Sequence, residues 1–406
     1  MLKIKDIILK IIPDSRGQET LRATIKSGGI EVSSSIPHGK SKSDREAYVL
    51  EPHSAIRKFE IIKDQIIDTE FSSLKEFDNY LLRLDGTENK SNLGGNLILV
   101  LSQAFCRLAA KNEKLELWQY LEKQLSISKE KKVPYFLFNL INGGKHAVYG
   151  PNIQEYMIVP QVDNPKVSLE VAQIFFVGLK EYFKKECEES KFGDEGGLLV
   201  HGDDYEKPLK IFEQIKKELN LENKIKVSLD VAASSFYTKK EKAYLLKKDK
   251  SFSREELGEI YKNLVSKYDI FSIEDPFEEK DWGSFQKLTS EIGDKIAIIG
   301  DDLTSTNSVL VKKAIEMKAI SGVIIKPTQI GTISETLETI DLANKHDLKI
   351  VVSHRSAETN DDFISDLAWA SRAWALKSGA PQPEERMVKY NRIIKIYEED
   401  NFFRSN

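Results

Sequence analysis

The chain has 406 residues, 40% of them apolar and 31% charged, which is enough for two or three globular domains with a large core. Its formal net charge is −4, with 60 Lys and Arg interleaved among 64 Asp and Glu, so a basic footprint for nucleic acid or an anionic membrane is excluded. An anionic ligand must therefore be held locally, by a metal or by a few placed cations.

The opening stretch MLKIKDIILKIIPD carries Lys3, Lys5, Asp6 and Lys10 through its apolar positions, so no secretory leader is expected. No apolar run reaches membrane-spanning length. Cys106 and Cys187 both lie in helix-patterned segments, with neither a disulfide framework nor a zinc-ligand spacing. A reducing, cytoplasmic setting is expected.

Leu21, Ala23 and Ile25 alternate with polar residues, Gly28 and Gly29 supply a turn, and Ile30 and Val32 resume the alternation, which predicts an antiparallel hairpin. From about His53 the pattern turns helical. Ser72 and Ser73 suit an N-cap for SLKEFDNYLLRL, and NLILVLSQAFCRLAAK has helical spacing with few charges, so a buried helix is predicted there. Strands followed by segregated helices predict a small α+β domain over residues 1–125. The polar stretch 126–132 is the predicted linker, leaving a barrel-sized 133–406.

After the linker come eight strand candidates: PYFLFNLI, QEYMIVP, KVSLDVAA, FSIEDPF, KIAIIGDD, GVIIKPT, KIVVSHR and WALKSG. Helix patterns separate most of them. The first two are joined by the short Gly-rich NGGKHAVYGPN, which predicts a TIM-type α/β barrel with an antiparallel start. From 274 to 301 is 27 positions, from 301 to 326 is 25 and from 326 to 355 is 29, close to the ~30 residues of one βα unit. The longer step from 230 to 274 contains YTKKEKAYLLKKDKSF, read as an added hairpin or loop.

Asp230, Glu274 and Asp301 each stand where an apolar run stops, and Lys326 ends the next run in the same way. Polar residues at the C-terminal ends of barrel strands read as catalytic. A single such Asp is as readily a helix cap or a lysine's partner; three at matched ends predict a hard oxygen site for Mg²⁺, with Mn²⁺ an alternative, rather than zinc. Lys326 sits at a buried strand end, where burial and a neighbouring dication would both lower its pKa and make it a general base. The simpler alternative is a salt bridge to one of the carboxylates.

Asp194 and Glu195 precede paired glycines, which let a loop approach a ligand, and Glu195 facing Lys326 would give an acid and a base in one pocket. Gln154 and Glu155 lead into YMIVP. Ser353, His354, Arg355 and Ser356 end another strand and Lys377 the last. Arg with neighbouring hydroxyls suits a phosphate, and a lone Lys a carboxylate.

With these residues assembled, the chain resembles the enolase family over almost its whole length: DSRG at 14–17, DGTENKS at 85–91, then FNLINGG, QEYMIVP, GDEGG, DVAAS, SIEDPF, GDDLTSTN, KPTQIG, SHRS, SGAP and ERMVKYN. The resemblance implies a small α+β domain over a ββαα(βα)6-like barrel, Asp230, Glu274 and Asp301 as magnesium ligands, Lys326 as base, and Glu195 as acid assisted by Glu155. It further implies that Gln154, His146, His354, Arg355, Ser356 and Lys377 hold the substrate, that Ser41 is a ligand of a second magnesium, and that the chain forms a homodimer or higher homo-oligomer. The implied reaction is the reversible dehydration of 2-phosphoglycerate to phosphoenolpyruvate, a glycolytic lyase step in the cytoplasm. Removing a proton beside a carboxylate creates a doubly charged aci-carboxylate that two divalent ions stabilise.

The sequence departs from the family pattern near the pocket. A loop usually reading PSGASTG is PHGKSKS here, with His38, Lys40, Lys42 and Ser43 in place of small residues; cations there are expected to weaken a second metal. Lys145, Thr328, Ala357 and Ser235 also replace usual residues. These changes leave two alternatives: an acid-sugar dehydratase or epimerase on the same scaffold, and an enolase-like binding protein with weakened chemistry.

Overall fold

The computed structural model describes residues 1–39, 43, 45–127, 129–144, 150–186, 191–247 and 250–405, the last five by backbone alone. Lys40, Ser41, Lys42, Lys145, His146 and Cys187 lie outside the described residues.

The hairpin forms as its alternation requires. Strands Glu19–Ser27 and Ile30–Ser35 pair antiparallel, with Gly28 and Gly29 at φ +52 and +85 between them, a turn whose positive φ values favour glycine. Leu21, Ala23 and Ile25 are fully buried on one face. A further strand, Asp6–Pro13, pairs along Glu19–Ser27. Its apolar run shows no clean alternation because most of its residues are half-buried, so a period-two pattern could not reveal it.

Helices Pro52–Ile66, Leu74–Asp85, Gly95–Asn112 and Leu117–Gln124 follow. Ser73 Oγ caps Leu74–Asp85 by accepting from Glu76 N at 3.2 Å, one of the donors a helix start leaves unpaired. Gly95–Asn112 is buried along nearly its whole length and packs against the hairpin. Phe77 stacks on Phe105 with centroids 4.2 Å apart, and Phe71 meets Phe77 edge-on at 5.0 Å.

Eight strands then close a barrel: Tyr135–Asn142, Glu155–Pro160, Ile225–Asp230, Ile270–Glu274, Ala297–Gly300, Gly322–Ile325, Lys349–Ser353 and Ala375–Lys377, called first to eighth below. The eighth pairs parallel with the first. The second is antiparallel to both of its neighbours, and two helices, Pro165–Lys185 and Lys207–Glu218, lie between it and the third. The long step after the third strand contains a three-stranded antiparallel sheet of Tyr237–Thr238, Ala243–Lys247 and Lys250–Phe252.

The barrel interior is apolar below and polar above. Leu137, Met157, Val159, Ile299, Ile324 and Val351 fill it, and Tyr135, Phe271 and Trp374, all at strand beginnings, pack against that filling. Phe271 and Trp374 stack at 4.2 Å. With the lower end plugged, strand-end side chains can gather only at the other rim.

The N-terminal elements contact that rim. Ala47 N donates to Gln329 O at 2.8 Å, His38 and Ala357 form an antiparallel bridge, and Lys90 pairs with Glu335 at 3.0 Å. Asp78 is fully buried here and accepts from Ser334 N at 2.8 Å. Burial, offset only partly by hydrogen bonds from Ser102 and Ser334, raises its pKa from 3.8 to about 6. A carboxyl with a raised folded pKa binds its proton more tightly folded than unfolded, so its stabilisation is full below 3.8 and lost as pH rises through about 6. Asp78→Asn, which keeps an acceptor for Ser334 N, is therefore expected to flatten the fall in Tm across that window; a melting series with unchanged slope would contradict it.

Candidate active site

The barrel places the predicted residues on one rim. Asp230 and Glu274 end the third and fourth strands and stand side by side in register, and Asp301 follows the fifth directly. Lys326 follows the sixth strand, His354, Arg355 and Ser356 the seventh, and Lys377 ends the eighth. Glu155 begins its strand, yet reaches the same rim because that strand runs antiparallel and sets Glu155 opposite Asp230. Gln154, Glu155, Glu195, Asp230, Asp301, Lys326, Ser353, His354, Arg355, Ser356 and Lys377 line one pocket of about 540 Å³, counting its open mouth. Ser41 and His146 lie outside the described residues.

Charge decides how these groups arrange. Among the described residues the pocket is lined by seven carboxylates and three fixed cations. Lys377 Nζ bridges Asp230 at 2.8 Å, Glu274 at 3.0 Å and Glu155 at 3.1 Å. Burial lowers its pKa, but Asp230, Glu155 and Glu274 outweigh that and hold it well above the ordinary lysine value. Burial, then Asp230, push Glu274 up to about 8. Burial and Glu195 push Glu155 well above the usual carboxylate range. More negative charge is buried here than the lysines balance.

Lys326 Nζ contacts Asp301 Oδ2, while Gln329 Nε2 donates to Asp301 Oδ1 at 2.9 Å. Two opposing effects act on the Lys326 pKa. Burial does lower it, but Asp301 and Glu274 outweigh burial and raise it above the ordinary value. A dication held by Asp301 would compete with this ion pair and favour the neutral amine.

Sequence reasoning missed several participants. Asp275 accepts from the Asp301 and Asp302 backbone N–H groups at 2.9 and 2.8 Å, and Asp275, Asp301 and Asp302 each offer an oxygen within 4.8 Å of the others. Asp301 alone belongs also to the predicted ligand set. Burial and Asp301 raise Asp302 to about 7. The doubled acids in IEDP and GDDL were the available signal. Glu46 pairs with both terminal nitrogens of Arg355, at 2.9 and 3.2 Å, and Thr328 Oγ1 accepts from Arg355 at 3.2 Å. Thr328, one of the departures from the family pattern, therefore touches the predicted phosphate ligand.

On the other wall, Asn139 Nδ2 donates to Glu195 Oε2 at 2.8 Å, and His354 Nε2 stands 3.7 Å from the same oxygen. The Glu195 loop is clamped from outside. Ala380 N donates to Glu195 O at 2.9 Å, and Gly196 lies where a Cβ would come within 2.5 Å of Pro383.

The donor set fits a hard divalent cation. All candidate ligands are oxygens, Glu274 Oε1 is buried with no hydrogen-bond partner among the described residues, and the surplus of negative charge is what a dication neutralises.

A barrel whose C-terminal rim carries hard carboxylates beside two lysines defines a metal-assisted barrel enzyme. The model of the enolase C-terminal TIM barrel domain matches residues 130–402, and that of the enolase N-terminal domain matches residues 4–121. The chain is 39% identical over 414 residues to the enolase of Elusimicrobium minutum, covering 98% of this chain and 96% of that one. It is 37% identical to the enolases of a Nitratiruptor species and of Helicobacter pylori, with the same coverage. The chain belongs to the enolase family.

Lys377 ties three buried carboxylates together, so its loss should unbalance them. Lys377→Met is expected to cost about 3–5 kcal/mol at neutral pH in divalent-free buffer, read by denaturant unfolding, with Mg²⁺ restoring part of the loss. An unchanged midpoint would refute this role.

Proposed function

We propose that the chain catalyses the reversible, Mg²⁺-dependent dehydration of 2-phospho-D-glycerate to phosphoenolpyruvate, as a hydro-lyase of glycolysis and gluconeogenesis. The observation that carries the reading is the meeting, in one pocket, of a lysine and a carboxyl on separate sectors of the rim. Lys326 arrives from the sixth strand, and Glu195 arrives beside the first strand's Asn139.

Lys326 takes the proton from the carbon beside the substrate carboxylate. Glu195, assisted by Glu155, gives a proton to the leaving hydroxyl; burial and the neighbouring Glu195 favour the protonated form of Glu155. Arg355 and Ser356 hold the phosphate, which competes with Glu46 for the same guanidinium face. His354, Gln154 and Lys377, with His146, orient the rest of the substrate. Asp230, Glu274 and Asp301 are the proposed ligands of one Mg²⁺, with Mn²⁺ a substitute and Ser41 a ligand of a second ion. The bound ions supply positive charge to the substrate carboxylate as it gains charge.

The same reading divides the chain into an N-terminal capping domain (1–125), a linker (126–132) and a catalytic barrel (133–406). It assigns a homodimer or higher homo-oligomer working in the cytoplasm. Cys106 is a buried free thiol, and among the described residues no helix is long and apolar enough to cross a membrane; both agree with that setting.

With Mg²⁺ present, 2-phosphoglycerate is expected to yield phosphoenolpyruvate absorbance that chelation abolishes. Folded protein without turnover at saturating Mg²⁺ would reject the assignment. Lys326→Ala is expected to abolish solvent exchange of the substrate C2 proton, a loss of about 10²-fold or more, while calorimetry still detects metal binding. Retained exchange would place the base elsewhere.

A further inference from the structure

Arg386 has no part in the chemistry above, yet it is one of the largest fully buried side chains of the molecule. It stands in the first turn of the C-terminal helix Glu384–Ser405, behind the pocket wall. Its Nη1 donates to His354 Nδ1 at 2.5 Å and to Arg355 O at 2.8 Å. Its Nη2 donates to Ser356 O at 2.7 Å and to Asp194 O at 3.1 Å. One guanidinium therefore ties the loop after the seventh strand to the loop that carries Glu195. Gly379, at φ +81, gives its stem passage: a Cβ there would lie 2.8 Å from Glu195 O and 3.1 Å from Arg386 Cδ.

We propose that Arg386 is a positioning residue that fixes His354 as the tautomer protonated on Nε2, aimed at Glu195. A guanidinium has donors only and does not deprotonate in proteins, so the ring nitrogen it meets must offer a lone pair. Burial, reinforced by Arg386, Lys377 and Lys326 against the opposing pull of Glu195, pushes the His354 pKa well below its ordinary 6.5. The ring is therefore neutral and has a single N–H, which falls on Nε2, the nitrogen 3.7 Å from Glu195 Oε2. From there it donates toward the carboxylate or toward a substrate oxygen between them. Without Arg386 the donor that keeps the proton off Nδ1 is lost, and the Nδ1-protonated form is no longer opposed by it.

The tautomer claim stands on the geometry alone; only its kinetic consequence rests on the hydro-lyase reading. The chain has six histidines, few enough for ¹⁵N-histidine NMR of the intact protein with His354→Gln to assign the signal. In the unsubstituted protein the His354 Nδ1 resonance is expected at the position of an unprotonated ring nitrogen and Nε2 at that of a protonated one. In R386M the two are expected to exchange, and kcat to fall about 10²-fold with KM changed by less than about threefold. R386K, which keeps a donor but not the fork, is expected to retain the Nε2–H signal and recover part of kcat. A protonated Nδ1 in the unsubstituted protein would overturn the proposal whatever the variants do. So would an unchanged His354 spectrum in folded R386M. An exchange of signals with unchanged kcat would keep the tautomer assignment and remove its catalytic consequence.

Discussion

The surplus of buried carboxylate at the barrel's C-terminal rim is the constraint from which the rest follows. Acids from the second to the fifth strands and from the loops above them point into one space, and burial opposes their ionisation. Taking several carboxylates out of water is expensive unless cations accompany them. Lys377 and Lys326 supply two, each held protonated by the acids it touches. The surplus that remains is the physical reason a hard dication belongs there.

The fold delivers this charge without spending core on it. Apolar side chains fill most of the barrel interior and aromatic rings close its lower end, with Ser228 and Ser272 a buried hydrogen-bonded pair between the third and fourth strands, so the ionisable strand-end side chains meet at one rim. The antiparallel second strand adds Glu155 to that rim from the beginning of a strand rather than its end. The C-terminal helix then buttresses the outer wall: Arg386 spans two loops, and Lys389 meets Glu358 at 2.8 Å just behind Arg355, whose backbone N–H Glu358 also accepts. Pocket geometry thus depends on a helix far along the chain that contributes no group to the chemistry.

Much of this was legible beforehand. Asp230, Glu274, Asp301 and Lys326 could be found because a parallel strand flanked by helices reads as a bounded apolar run, and the polar residue closing the run marks the rim. The hairpin about Gly28 and the cap at Ser73 were legible for the same reason: each has its cause within a few residues. Asp6–Pro13 was not, because its residues are half-buried and a two-residue period does not appear. Asp275 and Asp302 were hidden beside stronger neighbours, since adjacency in sequence does not say which of two acids turns inward.

By itself the sequence determined the order and type of most elements and which polar residues close several of the strands, because these depend on local periodicity and on the chemistry of single side chains. Only the tertiary structure decided which charges neutralise which. Lys377 sits among three carboxylates drawn from three strands, Arg355 faces Glu46 from the other end of the chain, and Arg386 reaches His354 across the rim. The Lys326 pKa shows why the two differ. Its direction is a balance of burial against the acids facing it, and that balance exists only once the strands have closed and set those acids at contact distance.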